Sequence, residues 1–379
     1  MNEELHRGLE GILVTESELS RVDGEAGQLI YRGYPIEMLA ENASFEEVLY
    51  LLWEGALPTK TQLASLQSKL TDARVLDDAV IDVLHSLAAA DEDPMAALRT
   101  AASTLSSTDV KGSEFNPHDH DHVLEKGVKL TAKFPTIIAA FDRLRNNERP
   151  IEPRDDLDHA ANFLYMLTGE EPDDVLVETL DAALVLHADH GLNASTFSAM
   201  VTASTYSDIY SAVTSAVGTL AGPLHGGANA NVMRMLLEID DSGQSPEAWV
   251  RESLDAGERI PGFGHRVYKV KDPRAYILGS MSESLGEAAG DLKWYEYSRS
   301  VEETMEAETG IPPNVDFYSA TTYYQMGIPI DLYTPIFAMS RVGGWTAHIL
   351  EQYEDNRIMR PRSRYIGPES ATFVPLDER

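Results

Sequence analysis

Ser44-Phe45-Glu46-Glu47-Val48-Leu49-Tyr50-Leu51-Leu52-Trp53-Glu54-Gly55-Ala56-Leu57-Pro58 reads as one complete helix. Ser44 and Glu47 form a capping box, Val48, Leu51 and Leu52 share one face, and Gly55 and Pro58 close the segment. The same grammar recurs along the chain. Leu63, Leu66 and Leu70 mark a second face, and Val80, Ile81, Leu84, Leu87 and Ala88 a third. Asp93-Pro94 fits the N-cap and first position of a fourth helix. Residues 123–144 predict a long helix interrupted at Pro135. Further helical stretches are expected over 157–167, 175–186, 194–206, 210–220, 229–239, 246–256, 294–309, 316–325 and 334–352. Strand signals are confined to residues 22–31, which read as a short hairpin. The expected fold class is therefore all-α with a short N-terminal β-hairpin.

Composition narrows the function classes. The chain has 379 residues, 43% hydrophobic and 24% charged, which is a globular composition. No apolar run is long enough to span a bilayer. Met1–Glu10 lacks a basic segment followed by an apolar one, so a cytoplasmic location is expected. With no cysteine, a thiol nucleophile and thiolate metal sites are excluded. Thirty Lys and Arg against 62 Asp and Glu give a net charge of −32, and only nine of the cations are lysines. The acidic residues are spread over helices, as in Asp77/Asp78 and Asp173/Asp174, and do not form a tail. Such self-repulsion disfavours nucleic acid as a partner and points to adaptation to high salt.

Breakers cluster at Gly222-Pro223, Pro261-Gly262-Phe263-Gly264, Ile311-Pro312-Pro313-Asn314 and Gly327-Ile328-Pro329. Three of these four lie beside a histidine or an aspartate, and loops between rigid helices are where chemistry tends to sit. His225 falls in a glycine-flanked turn that opens a helix, where a neutral imidazole is favoured. Arg266, Lys269, Lys271 and Arg274 make a basic patch after the second breaker, which fits an anion site or pairing with nearby carboxylates. Asp316 begins a helix and fits either an N-cap or a general base. Arg341 lies on an apolar helix, so it snorkels or meets a buried anion. Arg357, Arg360, Arg362 and Arg364 form a second basic focus. His118-Asp119-His120-Asp121-His122 alternates too closely for convergence on one ion and reads as a polar loop opening the next helix, so no metal site is assigned.

Five segments in order resemble the citrate synthase family, over nearly the whole chain. They are Leu9 to Tyr34, His187-Ala188-Asp189-His190-Gly191-Leu192-Asn193-Ala194-Ser195, Gly222-Pro223-Leu224-His225-Gly226, Pro261 to His265, and Asn314-Val315-Asp316. The length resembles the shorter archaeal and Gram-positive form. The resemblance implies condensation of acetyl-CoA with oxaloacetate and hydrolysis of citryl-CoA to citrate and CoA. Asp316 would be the base, His225 would stabilise the enol or enolate, and His265 would polarise the keto group. His190, Arg274, Arg341 and Arg360 would bind oxaloacetate, with Arg360 coming from the partner of a homodimer with shared active sites. Pro261, Gly262, Phe263, Gly264 and Lys269 would receive coenzyme A, a substrate carrier; no cofactor is implied. A large helical domain would comprise 1–221 and 329–379, and a smaller, mobile one 222–328. The alternatives are 2-methylcitrate synthase, which uses propionyl-CoA, and a non-catalytic acidic scaffold of the same fold.

The charge yields a test that needs no structure. The unfolding midpoint and activity are expected to rise from about 0.1 M to about 1 M KCl, where the Debye length contracts to about 3 Å. A midpoint unchanged or lower at the higher concentration rejects salt adaptation.

Overall fold

The computed structural model describes residues 5–9, 11–109, 115–264 and 267–379. Among them are three short strands and sixteen α-helices. The strands β1 (Ser20–Asp23), β2 (Gln28–Tyr31) and β3 (Tyr34–Pro35) form one antiparallel sheet, with Val22 opposite Leu29 and Tyr31 opposite Tyr34. The hairpin expected over 22–31 is present. Its third strand is ended by Pro35, which has no N–H to give a ladder.

The helices are α1 (Ile36–Asn42), α2 (Phe45–Glu54), α3 (Lys60–Ala73), α4 (Asp78–Ala89), α5 (Pro94–Thr108), α6 (His120–Arg145), α7 (His159–Thr168) and α8 (Asp174–His187). They continue with α9 (Ala194–Ala203), α10 (Ile209–Leu220), α11 (Ala228–Ser242), α12 (Pro246–Asp255), α13 (Pro273–Ala289), α14 (Lys293–Thr309), α15 (Val315–Gln325) and α16 (Tyr333–Glu354). Caps set many of these starts. Glu47 N–H donates to Ser44 Oγ at 3.3 Å while Ser44 N–H donates to Glu47 Oε2 at 2.9 Å, and Gly55 closes α2 with φ 82°. Asp93 caps α5 ahead of Pro94 as expected.

One local expectation is corrected, and one of two open alternatives is removed. Pro135 does not interrupt α6, which runs unbroken from His120 to Arg145. A mid-helix proline costs about 3 kcal/mol, but α6 is buried almost continuously from Val128 to Phe141, and that packing outweighs the lost bond. Asp316 is not an N-cap. Asn314 holds that position, its Oδ1 accepting from Asp316 N–H at 3.0 Å, so the Asp316 carboxylate is not needed for capping.

Helix α16 is buried along most of its length, against α2, α5, α6, α8, α9 and α10. Arg341, Trp345 and His348 recur at helical spacing on one face. Each grips the turn between α8 and α9. Arg341 Nε donates to His187 O at 2.7 Å, Trp345 Nε1 donates to Ser195 Oγ at 3.2 Å, and His348 Nε2 lies 3.1 Å from Asp189 Oδ1. The backbones approach closely because Gly344 has no side chain; a Cβ there would fall 2.2 Å from the carbonyl oxygen of Ala188. Elsewhere, α11, α14 and α15 pack together, α13 lies along α15, and α12 along α14.

The two adjacent glycines of α16 make a comparison. Alanine gains about 1 kcal/mol over glycine in helix propensity. At Gly343 the new Cβ would fall 2.3 Å from Leu49 Cδ2, the end of a side chain that yields more readily than backbone, so Gly343→Ala should be the milder change. At Gly344 it meets backbone, and overpacking of about 1–3 kcal/mol prevails. Urea unfolding is therefore expected to show Gly344→Ala less stable than Gly343→Ala; the reverse order removes the close-approach account.

Candidate active site

A cavity of about 1030 Å³ opens beside the α8–α9 turn. His190, His225, Arg274, Asp316 and Arg341 all line it. They come from five separate places: the α8–α9 turn, the turn before α11, the first turn of α13, the first turn of α15 and the middle of α16. Gly264, Asn229 and Phe337 also line it, as do Gly8, Leu9, Ile12 and Val14 of the N-terminal segment.

The two arginines are almost fully buried, at 2% exposure for Arg274 and 1% for Arg341. Arg274 is paired. Its Nε and a terminal nitrogen reach the two oxygens of Asp272 at 3.0 and 2.7 Å, and Asp272 also caps α13. Arg341 has no carboxylate at ion-pair distance among the described residues. It has the His187 carbonyl and the face of Phe337, whose centroid lies 4.6 Å from the guanidinium carbon. Burial lowers its pKa to about 10. Burying a cation is costly; the nearby Asp189 and Asp316 carboxylates offset part of that cost, and an anion bound in the cavity would offset more.

His225 is fixed in one tautomer. Ser195 N–H lies 3.2 Å and Ser195 Oγ 2.8 Å from His225 Nε2. Asn193 Oδ1 accepts the N–H groups of Ser195 and Thr196, both at 3.1 Å, and the Ser195 hydroxyl at 2.8 Å. Trp345 Nε1 can only donate, so it takes an acceptor position on Ser195 Oγ. The backbone N–H of Ser195 points at His225 Nε2. Nε2 is thus an acceptor, and the ring proton sits on Nδ1. Burial, helped by the charge of Arg341, lowers the His225 pKa to about 4. The ring is neutral at physiological pH and offers Nδ1–H as a donor.

Asp316 shows the complementary shift. Burial raises its pKa to about 6, with Arg274 and Arg341 pulling it down and Asp272 pushing it up. It is ionised near neutral pH yet keeps appreciable basicity.

The remaining sequence candidates fall differently. His265 and Arg266 lie outside the described residues. Gly264 reaches the cavity, whereas Gly262, with φ 82°, faces Val232 and Phe317 with no room for a Cβ. Phe263 packs edge-on against Phe317 at 4.7 Å. Gly262 O and Gly264 O accept from the backbone N–H and side-chain amide of Asn314, both at 2.9 Å. Pro261–Gly264 is thereby tied to the residues that start α15. Pro261 is partly buried outside the cavity lining, and the side chain of Lys269 is exposed outside it too. Arg360 is exposed on the C-terminal segment, away from the cavity of its own chain. Among the described residues, no group of three or more His, Cys, Asp and Glu side chains is placed to hold a metal ion.

Sequence reasoning missed the residues behind the site. Ser195 and Asn193 were within a quoted motif, but their hydrogen-bond roles depend on Trp345, 150 residues away. The Asp189 carboxylate was missed as well. Burial is opposed by His348, Arg341 and Ser20, and its pKa falls to about 2.

Comparison with known proteins agrees with this geometry. The model of the citrate synthase C-terminal domain family matches residues 8–362. A citrate synthase of Haloferax volcanii is 64% identical over the full length of both chains. A 2-methylcitrate synthase of Corynebacterium glutamicum is 43% identical, over 99% of each chain. Among solved structures, the Thermoplasma acidophilum citrate synthase in ternary complex with carboxymethyl coenzyme A and oxaloacetate superposes with a TM-score of 0.92. It is 33% identical and covers all of both chains. With the sequence, the helical architecture and this cavity in agreement, the chain belongs to the citrate synthase family.

Proposed function

We propose that the chain condenses acetyl-CoA with oxaloacetate and hydrolyses the resulting thioester, releasing citrate and CoA. The observation that carries this reading is one cavity lined by a basic carboxylate, Asp316, a neutral donor, His225, and two buried arginines. Asp316 takes a proton from the methyl carbon of the thioester. A thioester α-proton is a weak acid, so removal needs a donor aimed at the oxygen that gains charge, and His225 Nδ1–H supplies it. The enol carbon then attacks the keto carbon of oxaloacetate, and His265 gives a proton to the new alkoxide. Water cleaves the citryl thioester. Arg274, Arg341 and His190 hold the oxaloacetate oxygens, arginine suiting a carboxylate through its planar fork. Gly264 and the loop before it, with Lys269, face the CoA portion. The scheme is acid–base chemistry throughout and uses neither metal nor redox cofactor. Residues 222–328 act as the smaller domain that closes over the substrates, and the cytoplasm is the expected compartment.

The test measures CoA release from acetyl-CoA and propionyl-CoA, with and without oxaloacetate, in molar KCl. Release with acetyl-CoA that requires oxaloacetate is expected, and a clear preference for propionyl-CoA would favour the methylcitrate reaction. Asp316→Asn should bind oxaloacetate while turnover falls by about 10²–10⁴-fold, the usual weight of a positioned base. Because the carboxylate is the active form, wild-type turnover should fall as pH drops through about 6. A folded Asp316→Asn protein with near-wild-type turnover would end this mechanism.

Arg360 belongs to the same proposal as a residue given to a partner chain. Two-fold dimers build each site from both chains. A mixed dimer of one Arg360→Ala chain and one His265→Ala chain would then contain one whole site and one lacking both residues. Isolated by two tags, it should recover about half of wild-type activity, although both parents are nearly inactive. A mixed dimer as inactive as its parents would place Arg360 in its own chain's site.

A further inference from the structure

The segment Val267–Lys271 runs beside the cavity and is gripped from three sides. At the hairpin, Lys269 N–H donates to Gly24 O at 2.9 Å. The contact is close enough that a Cβ on Gly24 would lie 2.0 Å from Val267 O, and one on Gly27 2.6 Å from Val270 Cγ2. At its far end, Lys271 is paired with Glu302 of α14, which also accepts from Tyr318 of α15. Between these anchors Tyr268 turns inward and is only 3% exposed. Its hydroxyl lies 3.3 Å from His190 Nε2, and the two rings meet edge to face at 5.6 Å.

We propose that Tyr268 is a positioning residue for oxaloacetate: its hydroxyl orients the His190 ring, and the docking of Val267–Val270 on the Gly24–Gly27 turn holds that hydroxyl in place. The inference rests on the reading of His190 as an oxaloacetate ligand. The chemistry is that of a second partner fixing a histidine. A ring with one nitrogen engaged has a set orientation. His190 adjoins a turn already fixed on its other side, where Gly191 N–H donates to Asp189 Oδ2 at 3.0 Å. Tyr268 holds the ring before the substrate arrives, which lowers the ordering cost of binding. Tyr268 is carried by the segment that Lys271 ties to α14 and α15, whereas His190 and the hairpin lie earlier in the chain. The same contact therefore joins the two sides of the cavity.

The experiment compares oxaloacetate affinity by calorimetry in molar KCl for wild type, Tyr268→Phe, Gly24→Ala, the double variant and His190→Ala. Tyr268→Phe keeps the ring and removes one hydrogen bond, so Kd should rise about three- to tenfold. The KM for acetyl-CoA and the melting temperature should be unchanged. Gly24→Ala should give a rise of similar size by displacing the segment. The double variant should be no weaker than the worse single one, because both act through one contact. A folded Tyr268→Phe protein with wild-type affinity, beside a weakened His190→Ala, overturns the positioning role, as does full additivity in the double variant. An unaffected His190→Ala removes the ligand reading of His190, and this inference with it.

Discussion

The grip of α16 on the turn between α8 and α9 is the constraint from which the site follows. Three side chains one helical repeat apart, Arg341, Trp345 and His348, bond in turn to His187, Ser195 and Asp189. A single helix face thereby fixes the backbone behind His190, the hydroxyl behind His225 and one wall of the cavity. The arrangement requires Gly344, since no other residue lets the Ala188 carbonyl approach so closely. It also sets a buried cation, Arg341, in the cavity wall of a strongly acidic protein. Arg341 is spent structurally on a carbonyl through Nε, and its charge lines the cavity together with the Asp316 carboxylate, whose pKa it lowers. A cation held in that way is prepared for a substrate anion and does not have to be recruited.

The two groups assigned to proton transfer draw on the same burial in opposite senses. Desolvation penalises charge, so it keeps His225 neutral and makes Asp316 more basic. A neutral donor and a basic carboxylate are what enolisation of a thioester needs, and a solvated site would leave the imidazole partly charged and the carboxylate a weaker base. The arginines limit the effect. Without Arg274 and Arg341 nearby, Asp316 would be raised further and its ionised fraction near neutral pH would fall.

The helical architecture was legible because most helices carry their own punctuation. Ser44 to Glu47 and Asp93-Pro94 announced starts that the structure reproduces. Helices α1 and α13 were not read. Helix α13 presents Gly279 and Gly286 where large apolar residues would be expected, because Tyr318 packs directly over Gly279 and Leu292 over Gly286. Its packing face is defined by what its neighbours supply, and no periodicity records that. The site divides in the same way. His225, Asp316, Arg274 and Arg341 stood out as titratable residues in loops or on apolar helices, and the cavity gathers them. Ser195, Trp345, Tyr268 and Asp189 act through contacts across 30 to 160 residues of sequence. Each looks locally like an ordinary core or cap residue.

The acidic surface and the buried arginines of the cavity bear on one another through distance. Oxaloacetate and the CoA phosphates are anions approaching a chain of net charge −32. In dilute buffer the Debye length is about 10 Å or more, so the dispersed carboxylates oppose entry. At molar salt it is about 3 Å, and that long-range repulsion is gone. Contacts inside the cavity are screened far less, since Arg274 and Arg341 are buried and a bound carboxylate would meet them with little electrolyte between. Raising salt thus removes the repulsion selectively and leaves the attraction. A protein built this way needs no surplus of surface lysine to collect anionic substrates, provided it works where electrolyte is abundant.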